Sequence, residues 1–81
     1  MDEKIRELHL LLMYLTGWEE DKKNSAGEKI FRAWKGYKFE ILNELEEQKL
    51  IRQFRHTNSR SLLLTEEGKR KAEGLKQRYL Q

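Results

Sequence analysis

Cysteine and proline are both missing from this 81-residue chain. Without cysteine there are no disulfide staples and no thiolate ligands, and without proline there are no stiff linkers. The expectation is one domain over residues 1–81 in a reducing, cytoplasmic setting. Long apolar runs are missing too. The densest, Leu8 to Leu15, is far shorter than the roughly 20 residues a membrane-crossing helix needs, and Asp2-Glu3 stands where an export signal would be basic. No membrane contact is expected.

Catalytic and ligating chemistry is equally thin. His9 and His56 stand far apart without partner ligands at short spacing, so no metal or haem site is expected. His9 reads as a surface or edge residue and His56 as a turn residue within reach of a phosphate. Ser25, Ser59 and Ser61 lack a G-x-S-x-G context, and the five glycines are scattered singly, which leaves no phosphate-cradling loop. The expectation is a non-enzymatic chain with no catalytic residue, cofactor or metal.

Charge, in contrast, is abundant. Charged residues make up 38% of the chain and apolar ones 37%, against about 25% charged in an average domain. A monomer of this size has a modest core, and dimerisation would enlarge it. The net charge of +3 is unevenly spread: Arg32, Lys35 and Lys38 precede an acidic stretch with Glu40, Glu44, Glu46 and Glu47, and Arg52, Arg55 and Arg60 follow it.

The hydrophobic pattern predicts a first helix from an Asp2 cap to Thr16, ended by Gly17 in the left-handed conformation. Ile5, Leu8, Leu12 and Leu15, with Leu11 beside them, form its expected core stripe. Leu10, Met13 and Tyr14 fall on the opposite side, either against the last helix of the same chain or in a dimer contact. Residues 17–24 lack a period and read as a mobile loop. Ser25-Ala26-Gly27-Glu28 fits a capping box that would open a short helix ending near Lys35, with Ile30, Phe31, Trp34 and Tyr37 on its apolar side and Gly36 as the break.

A further helix is expected over 38–48, with Phe39, Ile41, Leu42 and Leu45 inward and Glu40, Asn43, Glu44 and Glu47 in solvent. Leu50 to Arg55 and Ser61 to Leu64 suit two strands, joined by a turn over 56–60 in which Asn58 best tolerates positive φ. Thr65 caps a last helix that opens with Glu66 and Glu67 and carries Ala72, Leu75 and Tyr79 along one side. This order gives a mainly α fold with a small β-hairpin (α+β), a winged helix-turn-helix.

Two stretches carry a family resemblance. Leu42-x-x-Leu45-Glu46-x-x-Lys49-Leu50-Ile51, a basic turn, and Leu64-Thr65-Glu66-Glu67-Gly68 resemble the second half of winged-helix regulators of the PadR and MarR kinds, over residues 28–80. Those regulators usually have glycine before Leu-Ile, where this chain has Lys49. Arg32-Ala33-Trp34-Lys35-Gly36-Tyr37, together with Leu-Thr-Glu-Glu-Gly, is similar to a family of small uncharacterised bacterial proteins that tend to have a small acid or hydroxyl residue at the position of Lys38. That likeness implies a fold and no activity.

Two functions remain open. Nucleic-acid binding would use Arg52, Arg55 and Arg60 on the hairpin, with Lys35 and Lys38 beside a helix N-terminus. Its opponent is the acidic face of 38–48, which repels phosphate where a recognition helix would enter the groove. A protein-contact or homodimer module would use Leu10, Met13, Tyr14 and Trp18, or offer the acidic face to a partner with a basic surface. Trp34, at helical spacing from Ile30 and Phe31, is expected in the core.

Overall fold

A computed structural model describes residues 3–23, 27, 29–34, 36–54 and 61–80. Its elements in chain order are α1 (Glu3–Thr16), β1 (Trp18–Lys23), β2 (Lys29–Trp34), α2 (Phe39–Glu47), β3 (Ile51–Arg52), β4 (Ser61–Leu64) and α3 (Glu66–Tyr79). The strands form one antiparallel sheet in the order β1-β2-β4-β3.

The second half follows its local signals. Thr65 is the N-cap of α3, and its hydroxyl accepts the Gly68 amide at 3.0 Å. The end of α2 is a Schellman turn, in which the Leu50 amide donates to the Leu45 carbonyl and the Lys49 amide to that of Glu46. Lys49 sits at φ 62, the left-handed conformation at which glycine is usual. At the other end of α2, Lys38 has the extended backbone of an N-cap but gives no side-chain cap.

The first half departs from expectation. Residues 18–23 and 29–34 are strands, not a loop and a short helix. Among the described residues no helix lies between α1 and α2, and a hairpin stands where the first helix of a helix-turn-helix was expected. Lys-Ile-Phe-Arg-Ala-Trp alternates as a two-faced strand must, with Phe31 and Ala33 buried. The aromatic and β-branched residues of this six-residue run, bounded by Gly27 and Gly36, favour a strand over the helical spacing read from Ile30, Phe31 and Trp34. β1 is the charged edge strand Trp-Glu-Glu-Asp-Lys-Lys, a composition that discourages pairing with other chains. Ser25, Ala26 and Glu28 of the capping box, Asp2, and the turn at 56–60 with Asn58 lie outside the described residues.

The two sides of α1 are the reverse of those expected. Leu10 and Met13 are fully buried and Leu11 nearly so, whereas Ile5, Leu8, Leu12 and Leu15 stand 40–46% exposed. The cause lies on the buried side. Gly17 follows Leu10 and Met13 along the helix, and a Cβ there would stand 2.5 Å from both the Arg32 carbonyl oxygen and the Phe31 ring. On that side the sheet comes close to the end of the helix. Gly17 therefore serves close approach, and it is not among the positive-φ residues. Tyr14 stacks on Phe31 and donates a 2.8 Å hydrogen bond from its hydroxyl to Glu73 of α3. That bond, then burial, then the charges of Glu73 and Glu19 raise its pKa above the usual tyrosine value of 10.0.

Candidate nucleic-acid interface

The strand register sorts side chains between two faces. Phe31 pairs with Leu64, Ala33 with Leu62 and Ile51 with Leu64, and all five are in the core with residues of α1, α2 and α3. Their neighbours point the other way. Arg32 pairs with Leu63 and with Trp18, Trp34 with Ser61, and Arg52 with Leu63. The helices therefore cover one face of the sheet, and the other carries Trp18, Ile30, Arg32, Trp34, Arg52, Ser61 and Leu63.

Aromatic rings and guanidinium groups cluster on this open face. Trp18 and Trp34 lie with ring centroids 5.1 Å apart, and Trp34 is 57% exposed. Arg32 pairs with Glu20, donates to the Ser61 hydroxyl at 3.2 Å and lies over the Phe54 ring at 5.9 Å. Arg52 is exposed. Beside it opens a cleft of about 540 Å³ with Ile30 and Leu63 among its lining residues, together with the cations Lys29, Lys49, Arg52 and Arg70 and the carboxylates Glu66 and Glu67. Glu66 is engaged by Lys69, and Lys29 reaches Glu19 at 3.8 Å.

Glu40, Glu44 and Glu47 of α2 belong to the other layer, whereas Glu46 accepts from the Gln53 amide beyond β3 at 3.0 Å. Ile41, Leu42 and Leu45 bury that helix in the core, Glu40 and Glu47 are exposed, and Glu44 pairs with Arg6 of α1 at 3.1 Å. Phe39, expected inward, is 77% exposed at the first turn.

Of the residues predicted to meet nucleic acid, Arg52 lies on the open face and Lys38 is exposed at the α2 N-cap, while Lys35, Arg55 and Arg60 lie outside the described residues. Of those predicted to meet a protein, Leu10 and Met13 are enclosed in their own chain, Tyr14 is partly buried against the core, and Trp18 is half-buried beside Trp34. Trp34 is not core. Helical spacing from Ile30 and Phe31 points it inward, whereas the period-two alternation of Phe31 and Ala33 places it outward.

The Leu-Thr-Glu-Glu-Gly motif has a structural account. The Thr65 hydroxyl donates to the Lys49 carbonyl at 2.7 Å while accepting from Gly68, and the Thr65 amide donates to Leu50 at 3.1 Å. A Cβ on Gly68 would lie 2.0 Å from the Leu50 carbonyl oxygen. The motif clamps α3 onto the corner between α2 and β3.

His9 binds the Ile5 carbonyl through Nδ1 at 2.8 Å and meets Tyr37 edge-on. Among the described residues no three His, Asp or Glu side chains are grouped to hold a metal ion, and no helix is long and apolar enough to cross a membrane.

Three helices on one face of a four-stranded antiparallel sheet, with aromatic residues and arginines on the other, define a small α+β domain. The family model described as Domain of unknown function (DUF6429) matches residues 1–81, so the chain belongs to that family. No curated protein and no solved structure matches it.

Proposed function

We propose that this chain is a non-enzymatic, cytoplasmic nucleic-acid-binding module that takes a single strand across the open face of its sheet. The observation that carries the proposal is the exposed Trp34 beside Trp18, next to Arg32, which lies over Phe54, with Arg52 farther along the same face on the opposite edge strand. Antiparallel sheets that expose aromatic rings bind unpaired bases by stacking, at about 1–3 kcal/mol per base, while neighbouring cations follow the phosphates. Glu40, Glu44 and Glu47 of α2 do not oppose this, since they stand on the far layer, and Glu46 is held by Gln53 beside Phe54. The order α2, β3, β4, α3, with β3 antiparallel to β4, also supports a kinship with the wing half of a winged helix, with the β1–β2 hairpin in place of the first helix of the helix-turn-helix.

Both tryptophans of the chain lie at the proposed site, so quenching of intrinsic fluorescence reports on it directly. A 12-nucleotide single strand should quench at low salt with affinity falling steeply as salt rises. By anisotropy, Trp34→Ala should weaken binding about 5- to 150-fold, and Arg52, Arg55 and Arg60 changed together to alanine should flatten the salt slope. Absence of binding at low salt, or binding indifferent to Trp34→Ala, refutes the proposal. A protein-contact role is the second reading, and the bare outer stripe of α1 favours it.

A further inference from the structure

The cleft beside Arg52 lies at the end of the open face away from Trp34, and its volume of about 540 Å³ falls within the roughly 300–1,000 Å³ of small-molecule sites. We propose that it seats the terminal phosphate of the bound strand, so that the module grips a single strand by one phosphorylated end. The inference rests on the nucleic-acid reading above and adds to it a preference for ends.

Charge selects the occupant. Of the ionisable side chains that line the cleft, Lys29 is engaged by Glu19 at 3.8 Å and Glu66 by Lys69. Among the described residues Lys49, Arg52, Arg70 and Glu67 make no ion pair, and three cations against one carboxylate leave the cleft with a net charge of +2. A phosphodiester inside a strand carries a single negative charge. A terminal phosphomonoester, with a second pKa of about 6, carries about −1.5 to −2 at pH 7. The monoester matches the cleft, and the diester leaves about half of its charge unanswered. All four side chains are exposed, so the gain is moderate and falls with salt.

Position selects the end of a strand over its middle. Trp34 and Ile30 are four residues apart on β2 and face the same way, a separation of roughly 13 Å at about 3.3 Å per residue, with Arg32 between them. β4 runs from Ser61, beside Trp34, to Leu64 and continues through the Thr65 cap into α3. Glu67 and Arg70 of that helix therefore bound the cleft past the end of the sheet. A strand stacked on Trp34 and led along Arg32 reaches this boundary within a few nucleotides. Ile30 and Leu63 line the same cleft and offer the last sugar and base an apolar surface.

Tetranucleotides test the inference, since on so short a strand few registers compete with the one that seats the end. Quenching of the intrinsic tryptophan fluorescence at low salt compares three strands of one sequence, bearing a 5′-phosphate, a 3′-phosphate or neither. One phosphorylated form should bind about 5- to 10-fold tighter than the bare strand, and the other within about 2-fold of it. A charge attracted only by the general field of the protein would help equally from either end. Equal gains at the two ends, or a gain at neither, overturn the inference.

Arg70→Ala, with unchanged circular dichroism, should bring the ratio of phosphorylated to bare affinity close to one. Lys76→Ala removes the same charge from the exposed last turn of the same helix and should leave the ratio intact. A ratio that survives Arg70→Ala, or that falls as far with Lys76→Ala, overturns the inference. The 12-nucleotide strand separates it from the broader reading. If that strand does not quench, the nucleic-acid reading fails and this inference with it. If it quenches while the tetranucleotides show no one-ended gain, only this inference fails.

Discussion

The segment from α2 to α3 and the segment from α1 to β2 are stabilised by different means. In the first, local devices close the end of α2 and the start of α3: the Schellman turn at Lys49 and Leu50, the Thr65 cap, and the fit of Gly68 onto Leu50. Few large apolar groups are left in water there, Phe39 and Leu80 being the exceptions. In the second, order depends on contacts distant in sequence, such as β2 with β4 and Tyr14 with Glu73. Here most of the exposed apolar surface is found, on α1 and at Trp34. Apolar surface left outside a chain's own core is surface available for recognition.

The largest expected effect lies in the locally capped segment. Gly68→Ala forces a methyl into the Leu50 carbonyl, and backbone cannot move aside as a flexible side chain can. Chemical denaturation should show a loss of about 3 kcal/mol or more. A loss under about 1 kcal/mol would mean that α3 is not seated tightly on the corner.

Next comes the contrast across α1. Leu10→Ala should cost about 2–5 kcal/mol, since a fully buried leucine leaves a cavity. Leu12→Ala, measured at low protein concentration, should cost under about 1 kcal/mol. Equal losses at the two positions would erase the distinction between an inner and an outer side of this helix.

That distinction was the least legible part of the sequence. Leu8 to Leu15 is apolar at every position except His9, so a helical period fits either side and cannot choose between them. The buried side is the one that continues to Gly17, where Phe31 comes close, and Phe31 belongs to a strand that local pattern alone left undecided. The α2 helix, Ser61 to Leu64 and the Thr65 cap were legible because caps and short apolar runs are local signals. β1 gave no signal at all: Trp-Glu-Glu-Asp-Lys-Lys has one apolar residue and becomes a strand by pairing with β2. The candidate interface was half legible. Arg52 stood out as a cation, but the aromatic residues that share its face come from β1 and β2, across β4, and only the sheet register places them on one face.

The smallest effect concerns Lys49, where the two kinds of stabilisation meet. A residue with a Cβ at φ 62 is strained, by about 1 kcal/mol, relative to glycine. Lys49→Gly should relieve that strain while keeping the carbonyl that accepts the Thr65 hydroxyl and the amide that donates to Glu46. The expected gain is about 0.5–1 kcal/mol, seen as a higher midpoint of thermal unfolding. Lys49→Ala is the control, because it removes the charge and keeps the strained backbone, and it should give no such gain. Lys49 also lines the cleft with Arg52 and Arg70. If the cleft follows a phosphate backbone, both variants should lower nucleic-acid affinity and reduce the salt slope by about one counterion or less. A lysine held where glycine would be more stable is then a cation kept for binding at a cost in stability. Lys49→Gly with a higher midpoint and unchanged affinity would leave the strain without that explanation.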